Sequence, residues 1–471
     1  METNKIFQGS VLDVLKTFLN ESVDCIVTSP PYYGLRDYGT ALWEGGKKDC
    51  DHQIGRNTRK GNAWMKSKLT EGTYGDETIK NGERCPKCGA TRIDQQLGLE
   101  STLEEYLQNM LAITAELKRV LKKTGTMWWN HGDAYASQHT GGNPSSKSMK
   151  KGRKLESAQS VRQPDGKKMF LQKSLLLQNF RLAIRMMDEQ EWVMRNTAIW
   201  YKPNCMPSSI KDRFTVDFEP VFFFVKNNKT AYYVNIKTGA ISFKKPLGLK
   251  GKKDIDWEWT TVGEIDGVTN FNVRVRDSSK NRFIQKATDE EIKNYGKPKL
   301  KKVSLWRSRD YWFEMPYEKA DYDGRKDTLY KGGPKDMAGG AHERWQKDDA
   351  GNYLRNKRCV WKIPTKPLSE AHFAVFPDSL IEMPIKAGCP EFICKKCGKM
   401  REKISNKLLS NCGCNAGFRP GIVLDPFMGS GTTAIVAESL NRNWLGIELN
   451  PKYIKMAEKR IAAIPKSLFS L

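Results

Sequence analysis

The sequence predicts an α/β fold, an open and largely parallel sheet flanked by helices, on three observations. Short apolar runs at 23–27 and 421–424 read as buried strands. The first gives way to Thr28-Ser29-Pro30-Pro31-Tyr32, a rigid loop, because two consecutive prolines cannot donate to a sheet ladder. The second gives way to a glycine turn and a helix. Ligands of open α/β sheets bind at the carboxyl ends of strands, so both loops are candidate site elements.

Taken in order, residues 5–27 read as a strand at Ile6-Phe7, a helix from Val11 to Leu19 and the first buried strand. Residues 33–98 form a polar, Gly- and Lys-rich insertion, too long for an ordinary loop. It holds Cys50-Asp51-His52 and Cys85-Pro86-Lys87-Cys88-Gly89. Cys-x2-Cys-Gly is zinc-knuckle spacing, since the glycine lets backbone amides turn toward thiolate sulfur. Cys50, His52, Cys85 and Cys88 are therefore candidate tetrahedral zinc ligands, with unliganded reduced thiols as the alternative.

Ser101-Thr102-Leu103-Glu104 opens a helix with a capping-box pattern, and Leu107, Leu111, Leu117, Val120 and Leu121 form its apolar face. Gly125 is expected to end it, before a strand at Thr126–Trp129. His131 and Asp133 follow at the sheet's carboxyl edge, where loop capping is their expected role. Residues 137–173 are basic and poor in apolar side chains, a loop that reads as a nucleic-acid backbone contact or, alternatively, a solvated linker. A helix from Leu175 to Met187 and strands at Trp192–Trp200 and Val221–Val225 return to packed structure. Residues 227–358 show no core-sized apolar periodicity. Basic residues interleaved with aromatics, as at Leu305–Trp312, suit nucleic-acid contact and mark a target-recognition insertion.

Within 359–388, Pro377-Asp378 begins a helix after a short strand. Residues 389–414 carry Cys394-x2-Cys397-Gly398 and Cys412-Gly413-Cys414, a second zinc ligand set. Four thiolates leave no open coordination position, so its role is structural. From 415 onward come the strand Gly421–Asp425, the turn Pro426-Phe427-Met428-Gly429-Ser430-Gly431-Thr432-Thr433 and a helix, Ala434 to Leu440. A glycine turn at a helix N-terminus is an anion-friendly pocket. The strand Trp444–Glu448 ends in an acid placed to accept hydrogen bonds from ribose hydroxyls, and Asn450-Pro451 starts a last helix, Tyr453 to Ile461. A dinucleotide site is the structural rival, which Phe427 and the Thr-Thr pair fit poorly.

Composition narrows the function. Lys+Arg 79 against Asp+Glu 54 gives a net charge of +25, the footprint of a phosphate-binding surface. Mean hydropathy is −0.62, and no run approaches the ~20 apolar residues of a membrane span. The N-terminus lacks a signal-peptide pattern, so a cytoplasmic location is expected. Seven of the eleven cysteines, with His52, fall into the two ligand sets. That reads as zinc in a reducing compartment rather than a disulfide framework.

Ser29-Pro30-Pro31-Tyr32 resembles the (Asp/Asn/Ser)-Pro-Pro-(Tyr/Phe/Trp) catalytic motif of the DNA amino-methyltransferases, and Asp425-Pro426-Phe427-x-Gly429-x-Gly431-Thr432-Thr433 resembles their cofactor motif. With the catalytic motif first and the cofactor motif last, the order is similar to the circularly permuted (beta) class. The resemblance implies a Rossmann-like S-adenosylmethionine-dependent methyltransferase fold, circularly permuted, with zinc-binding and DNA-recognition insertions. The catalytic half would occupy 1–32 and 99–226, and the cofactor half 359–388 and 415–471. Ser29 and a carbonyl of Pro30 or Pro31 would accept hydrogen bonds from an exocyclic amine, and Tyr32 would stack on a flipped base. Asp425, Pro426, Phe427, Gly429, Gly431, Thr432, Glu448 and Asn450 would hold the cofactor, with Phe376 and Pro377 at its methionine end. Lys202, Asn204, Ser208 and Arg213 would contact the base pocket or DNA. The family's Gly-Asp before the first helix is here Gly9-Ser10, with Asp13 the next acid.

Ser in the first motif position is commoner in cytosine-N4 enzymes, so the resemblance implies cytosine N4, with adenine N6 as the alternative. Cytosine-C5 chemistry needs a cysteine nucleophile in a Pro-Cys loop, and no Pro-Cys dipeptide occurs. An enzyme on structured RNA and a non-catalytic zinc-bearing DNA-binding protein are the remaining rivals. The implied partners are double-stranded DNA and a cognate restriction endonuclease. The implied setting is a prokaryotic cytoplasm, reached from a host or a phage gene.

Overall fold

The computed structural model describes residues 2–34, 42–47, 49–52, 84–85, 87–93, 96–100, 102–136, 171, 173–235, 238–246, 306–319, 353–366, 376–401, 403–404, 407–408 and 412–464, with the strands 255–261, 272–276, 282–286, 298–304 and 346–347. Most of the basic stretch 137–173, most of 53–83 and the strand expected before Pro377 lie outside the described residues.

One eight-stranded sheet organises the chain. Its elements are β1 (Lys5–Gln8), α1 (Val11–Thr17), β2 (Val23–Thr28), α2 (Leu103–Val120), β3 (Leu121–Asn130), α3 (Gln178–Gln190), β4 (Val193–Tyr201), β5 (Phe218–Val225), β6 (Val360–Lys362), α4 (Asp378–Gly388), β7 (Ile422–Asp425), α5 (Thr432–Ser439), β8 (Asn443–Glu448) and α6 (Pro451–Ala462). The strand order is β1-β8-β7-β2-β3-β5-β4-β6, and only β5 runs antiparallel to its neighbours. The N-terminal strand β2 thus lies directly beside the C-terminal strand β7.

Alternation along the central strands sorts the core into two layers. Ile26, Met127, Trp129, Phe222, Phe224 and Leu424 pack toward α1, α2 and α3. Cys25, Val27, Trp128, Phe223 and Val423 pack toward α4 and α5. Trp128 and Phe223, opposite each other on β3 and β5, stack with ring centroids 4.2 Å apart.

Three boundaries differ from the sequence reading. Thr102, not Ser101, caps α2, its hydroxyl accepting from Glu105 N at 3.1 Å. Gly125 does not end α2; the helix stops at Val120 and the chain enters β3 at once. Gly125 instead sits inside β3 where the register with β2 shifts, and a Cβ there would lie 2.9 Å from the Asp24 carbonyl oxygen. Finally, α3 begins at Gln178 rather than Leu175, because the Asp133 carboxylate accepts from Leu177 N at 3.0 Å and Gln178 N at 3.2 Å. Capping, the role expected of Asp133, is what it does.

The region 227–358, read as lacking a core, contributes to one. Strands 232–235, 241–242 and 306–309 form a small antiparallel sheet. Its Tyr232, Val234 and Ile241, with Trp312, bury against Ile393 and Met400 of the second cysteine segment. The Trp312 indole N–H also donates to the Arg401 carbonyl at 3.2 Å. Four side chains scattered over 80 positions carry no periodicity, which is why sequence patterning passed over them.

Candidate active site and metal centres

Parallel pairing of β2 and β7 puts their carboxyl ends side by side. Thr28 Oγ1 donates to Asp425 Oδ1 at 2.6 Å across 397 positions of sequence. Thr433 Oγ1 donates to Asp425 Oδ2 at 2.6 Å, and Phe427 N to Oδ1 at 3.0 Å. Burial pushes this carboxyl up to about 6. Asp425, expected among the cofactor ligands, therefore serves as an internal clamp joining both strands to the turn and to α5.

The turn itself is held open. Gly429 and Gly431 take left-handed backbone angles, φ 53° and 83°. A Cβ on Gly431 would come within 2.8 Å of Ala457 Cβ, so the turn packs tightly on α6, whereas one on Gly429 would meet only the Phe427 carbonyl at 3.9 Å. Glu448 bridges the turn to the next loop, accepting from Gly429 N and Asn450 N, each at 2.8 Å. Burial raises its carboxyl above the usual range. Asn450 caps α6 by accepting from Lys452 N at 2.9 Å. Arg460 donates to the Ser430 carbonyl at 2.6 Å and to Thr432 Oγ1 at 3.3 Å, tying the turn down from behind. Phe427 meets Trp129 edge-on, Pro426 is buried, and Phe376 packs with the α4–α5 core while Pro377 occupies the N-cap of α4.

On the β2 side, Ser29 Oγ lies 3.2 Å from Tyr32 Oη, which donates to Glu219 Oε2 at 3.0 Å. Lys202 forms an ion pair with the other oxygen of Glu219, and its ammonium sits 4.3 Å over the Trp200 ring. Tyr106 donates to the Pro31 carbonyl at 2.9 Å, leaving the Pro30 carbonyl with no protein donor among the described residues. His131 packs 5.0 Å from the Tyr32 ring and is fully buried, which lowers its pKa to about 3 and keeps the imidazole neutral. A Cβ on Gly132 would lie 2.6 Å from the Tyr32 ring, and one on Gly98 would lie 2.6 Å from the Tyr32 carbonyl oxygen. The loop is therefore pinned from two sides, and Gly34 N donating to Gly98 O at 2.9 Å closes the long insertion at the same spot.

The four residues expected at the base pocket or on DNA separate. Lys202 turns inward to Glu219, and the Asn204 amide is engaged by Thr365, donating to its carbonyl at 3.0 Å and accepting from its N–H at 2.8 Å. Ser208 accepts from Ile210 N at 3.2 Å, and the Arg213 guanidinium lies 3.3 Å over the Tyr135 ring at the surface. Sequence reasoning missed Glu219 and Tyr106, both of which touch the Ser29–Tyr32 loop from elements far along the chain. It also missed Met206 and Phe214, which stand 88% and 96% exposed on the same loop as Arg213.

A match to the DNA methylase family of N6/N4 type spans residues 23–459. The chain belongs to that family. Among curated relatives, the Type II methyltransferase M.Cfr9I of Citrobacter freundii is 27% identical over 457 residues, covering 97% of this chain and 87% of the relative. The Type II methyltransferase M.SmaI of Serratia marcescens is 25% identical over 460 residues, covering 97% and 90%. Among solved structures, PvuII DNA methyltransferase (cytosine-N4-specific) gives a TM-score of 0.41 at 14% identity, over 99% of this chain and 89% of that one. On the family match, the protein is a DNA methyltransferase of the N6/N4 amino-methyltransferase family, and its eight-stranded, largely parallel sheet is the α/β architecture expected from its sequence.

The methylase also gathers both expected metal ligand sets. Cys50, His52, Cys85 and Cys88 bring their ligand atoms within 4.8 Å of one another, and so do Cys394, Cys397, Cys412 and Cys414. In the first set Cys88 Sγ is 3.2 Å from His52 Nδ1, and His52 stacks on Trp43. Each Cys-x2-Cys turn closes the same way: Gly89 N donates to Cys85 O at 2.8 Å and Gly398 N to Cys394 O at 3.0 Å, with both glycines at positive φ. Among the described residues of the methylase, no helix is long and apolar enough to cross a membrane.

Proposed function

We propose that this methylase transfers a methyl group from S-adenosylmethionine to N4 of a cytosine flipped out of duplex DNA. The observation that carries amino methylation is the placing of Ser29 Oγ beside the Pro30 carbonyl, an acceptor with no protein donor among the described residues, at the end of the strand adjacent to the glycine turn. Ser in the first motif position supports cytosine as the base. An exocyclic amine conjugates its lone pair into the ring and is a poor nucleophile. Accepting hydrogen bonds from its N–H groups favours a pyramidal nitrogen whose lone pair is available. The residues present fit the cofactor: the open face at Gly429, the clamped acid Glu448 and the α5 N-terminus offer space, an acceptor for hydroxyls and donors for a carboxylate. When bound, S-adenosylmethionine supplies the electrophilic methyl group. The chain's own part would be to hold the target amine in line with that methyl group, Ser29 Oγ and the Pro30 carbonyl accepting from its N–H groups. Positioning does most of the work, because no covalent intermediate with the protein is required.

Duplex DNA is proposed to lie across this same edge, where Arg213 and the exposed Met206 and Phe214 project; the chain's charge of +25 supports that docking. The Type II relatives support a role in modification beside a cognate endonuclease in a prokaryotic cytoplasm. The decisive experiment is mass spectrometry of nucleosides digested from mixed-sequence duplex DNA after incubation with methyl-labelled cofactor. Labelled N4-methylcytosine is expected. N6-methyladenine would keep the fold and both motifs but replace the target base, and label appearing only on RNA would reject DNA as substrate.

Both ligand sets are proposed to hold structural Zn2+, supported by their convergence and their knuckle turns. Elemental analysis is expected to find about two zinc ions per chain, falling to about one in Cys397→Ala. That variant is also expected to melt earlier, because the second set roots the small core around Trp312. Purified protein free of zinc and equally stable would sink the assignment.

A further inference from the structure

Distance alone leaves open whether Ser29 faces the target amine as donor or as acceptor, and the difference is decisive. A serine that donated would bond to the nitrogen lone pair and block its attack. The neighbouring groups settle the direction. Glu219 holds Lys202 on one oxygen and Tyr32 on the other, and a carboxylate so paired can only accept. Asn130 Oδ1, 3.5 Å from Tyr32 Oη, is likewise an acceptor, because the same side chain's Nδ2 donates to the Pro220 carbonyl at 3.2 Å. With acceptors on that side, the single Tyr32 proton points toward Glu219. Tyr32 Oη then faces Ser29 with a lone pair, 3.2 Å away, and Ser29 must give its own proton to it. Both remaining lone pairs of Ser29 Oγ are left for the amine.

We propose that Glu219 is a positioning residue that sets this polarity: its charge, held by Lys202, orders the hydrogen bonds from Ser29 through Tyr32 so that Ser29 meets the target amine as an acceptor. The inference rests on the amino-methyltransferase reading above and holds for either base. It adds a residue from β5, 190 positions from Ser29, to the catalytic loop's function.

The test is Glu219→Gln, nearly identical in shape. Lys202 has donors only, so it draws the amide oxygen to itself and turns the amide NH2 toward Tyr32. Tyr32 then accepts from Gln, and its proton turns toward the nearer Ser29 rather than Asn130. Single-turnover methyl transfer is expected to fall at least about tenfold, with cofactor and DNA dissociation constants and thermal midpoint unchanged. Tyr32→Phe cuts the relay and is expected to cost only about threefold. The double variant should then recover to the Tyr32→Phe level, faster than Glu219→Gln alone. A merely structural role would not produce that rescue.

The proposal is overturned if Glu219→Gln stays within about twofold of wild type. It is equally overturned if the double variant shows the product of the two single losses. If Glu219→Gln does not fold, Lys202→Met/Glu219→Gln replaces it, since without Lys202 the amide can turn its oxygen to Tyr32. That pair is expected to match Lys202→Met, and a further tenfold loss overturns the idea. Wild-type product analysis runs alongside: a wrong base there leaves these ratios intact, so the two failures are separable.

Discussion

Ser29→Ala is expected to lower turnover about a hundredfold while cofactor affinity stays within about twofold. The substitution removes one of two acceptors for the target amine and leaves the other, the Pro30 carbonyl, in place. Tyr32 keeps its bond to Glu219, and the loop keeps its packing against Gly98 and Gly132. Among the described residues no hydrogen bond joins the Ser29 side chain to the turn 426–431, whose partners include Asp425, Glu448, Ile447 and Arg460. Single-turnover rates with labelled cofactor and equilibrium binding of that cofactor separate the two effects. Wild-type turnover in Ser29→Ala would remove the serine from the mechanism.

Asp425→Ala is expected to abolish measurable cofactor binding, although Asp425 itself makes no outward contact. Removing the carboxylate leaves Thr28, Thr433 and Phe427 N buried without their acceptor, at about 1–3 kcal/mol each before relaxation. The turn loses its tie to Thr28 of β2 and to Thr433 of α5, and is held then mainly by Glu448, Ile447 and Arg460. The milder Asp425→Asn carries a pH signature. Burial raises the folded pKa to about 6 from 3.8, so the unfolded chain releases this proton first. Stability from this group is complete below about pH 4 and is lost as pH rises through 6, by about 3 kcal/mol. Asparagine does not titrate. Urea unfolding of wild type and Asp425→Asn at pH 4 and pH 7 should therefore converge in one direction, the wild type losing more on going up. Parallel pH dependence would show that the buried carboxyl does not titrate in that window.

What the sequence disclosed was whatever chemistry is local. Two prolines stop β2 and fix the loop, alternating small residues make the turn before α5, and Cys-x2-Cys pairs close on themselves; each signal sits within a dozen positions. What it hid depends on partners brought together by the sheet. Glu219 reads only as an acid before an apolar run, and its contact with Tyr32 exists because β5 pairs antiparallel to β3 next to β2. Asp133 sets the start of α3 from 45 positions away, so helical periodicity placed that start at Leu175. Gly125 has the composition of a helix stop, yet Leu121 is already buried in the sheet, and burial overrode the local preference. Lys202 reads by pattern as a base-pocket or DNA contact, and its ion pair with Glu219 exists only once β4 and β5 lie side by side.

The neighbourhood of β2 and β7 has a consequence for how the enzyme comes into being. The loop after β2 leaves the ribosome well before the glycine turn after β7, since Thr28 and Asp425 lie 397 positions apart. At about 5–20 residues per second, roughly 20–80 s separate them. Throughout that wait β2, a strand of six buried residues, has β3 on one side and a bare edge on the other. The nascent chain must keep that edge from pairing elsewhere until β7 arrives to cover it. The two loops therefore come together only once β7 has been made and Asp425 closes on Thr28.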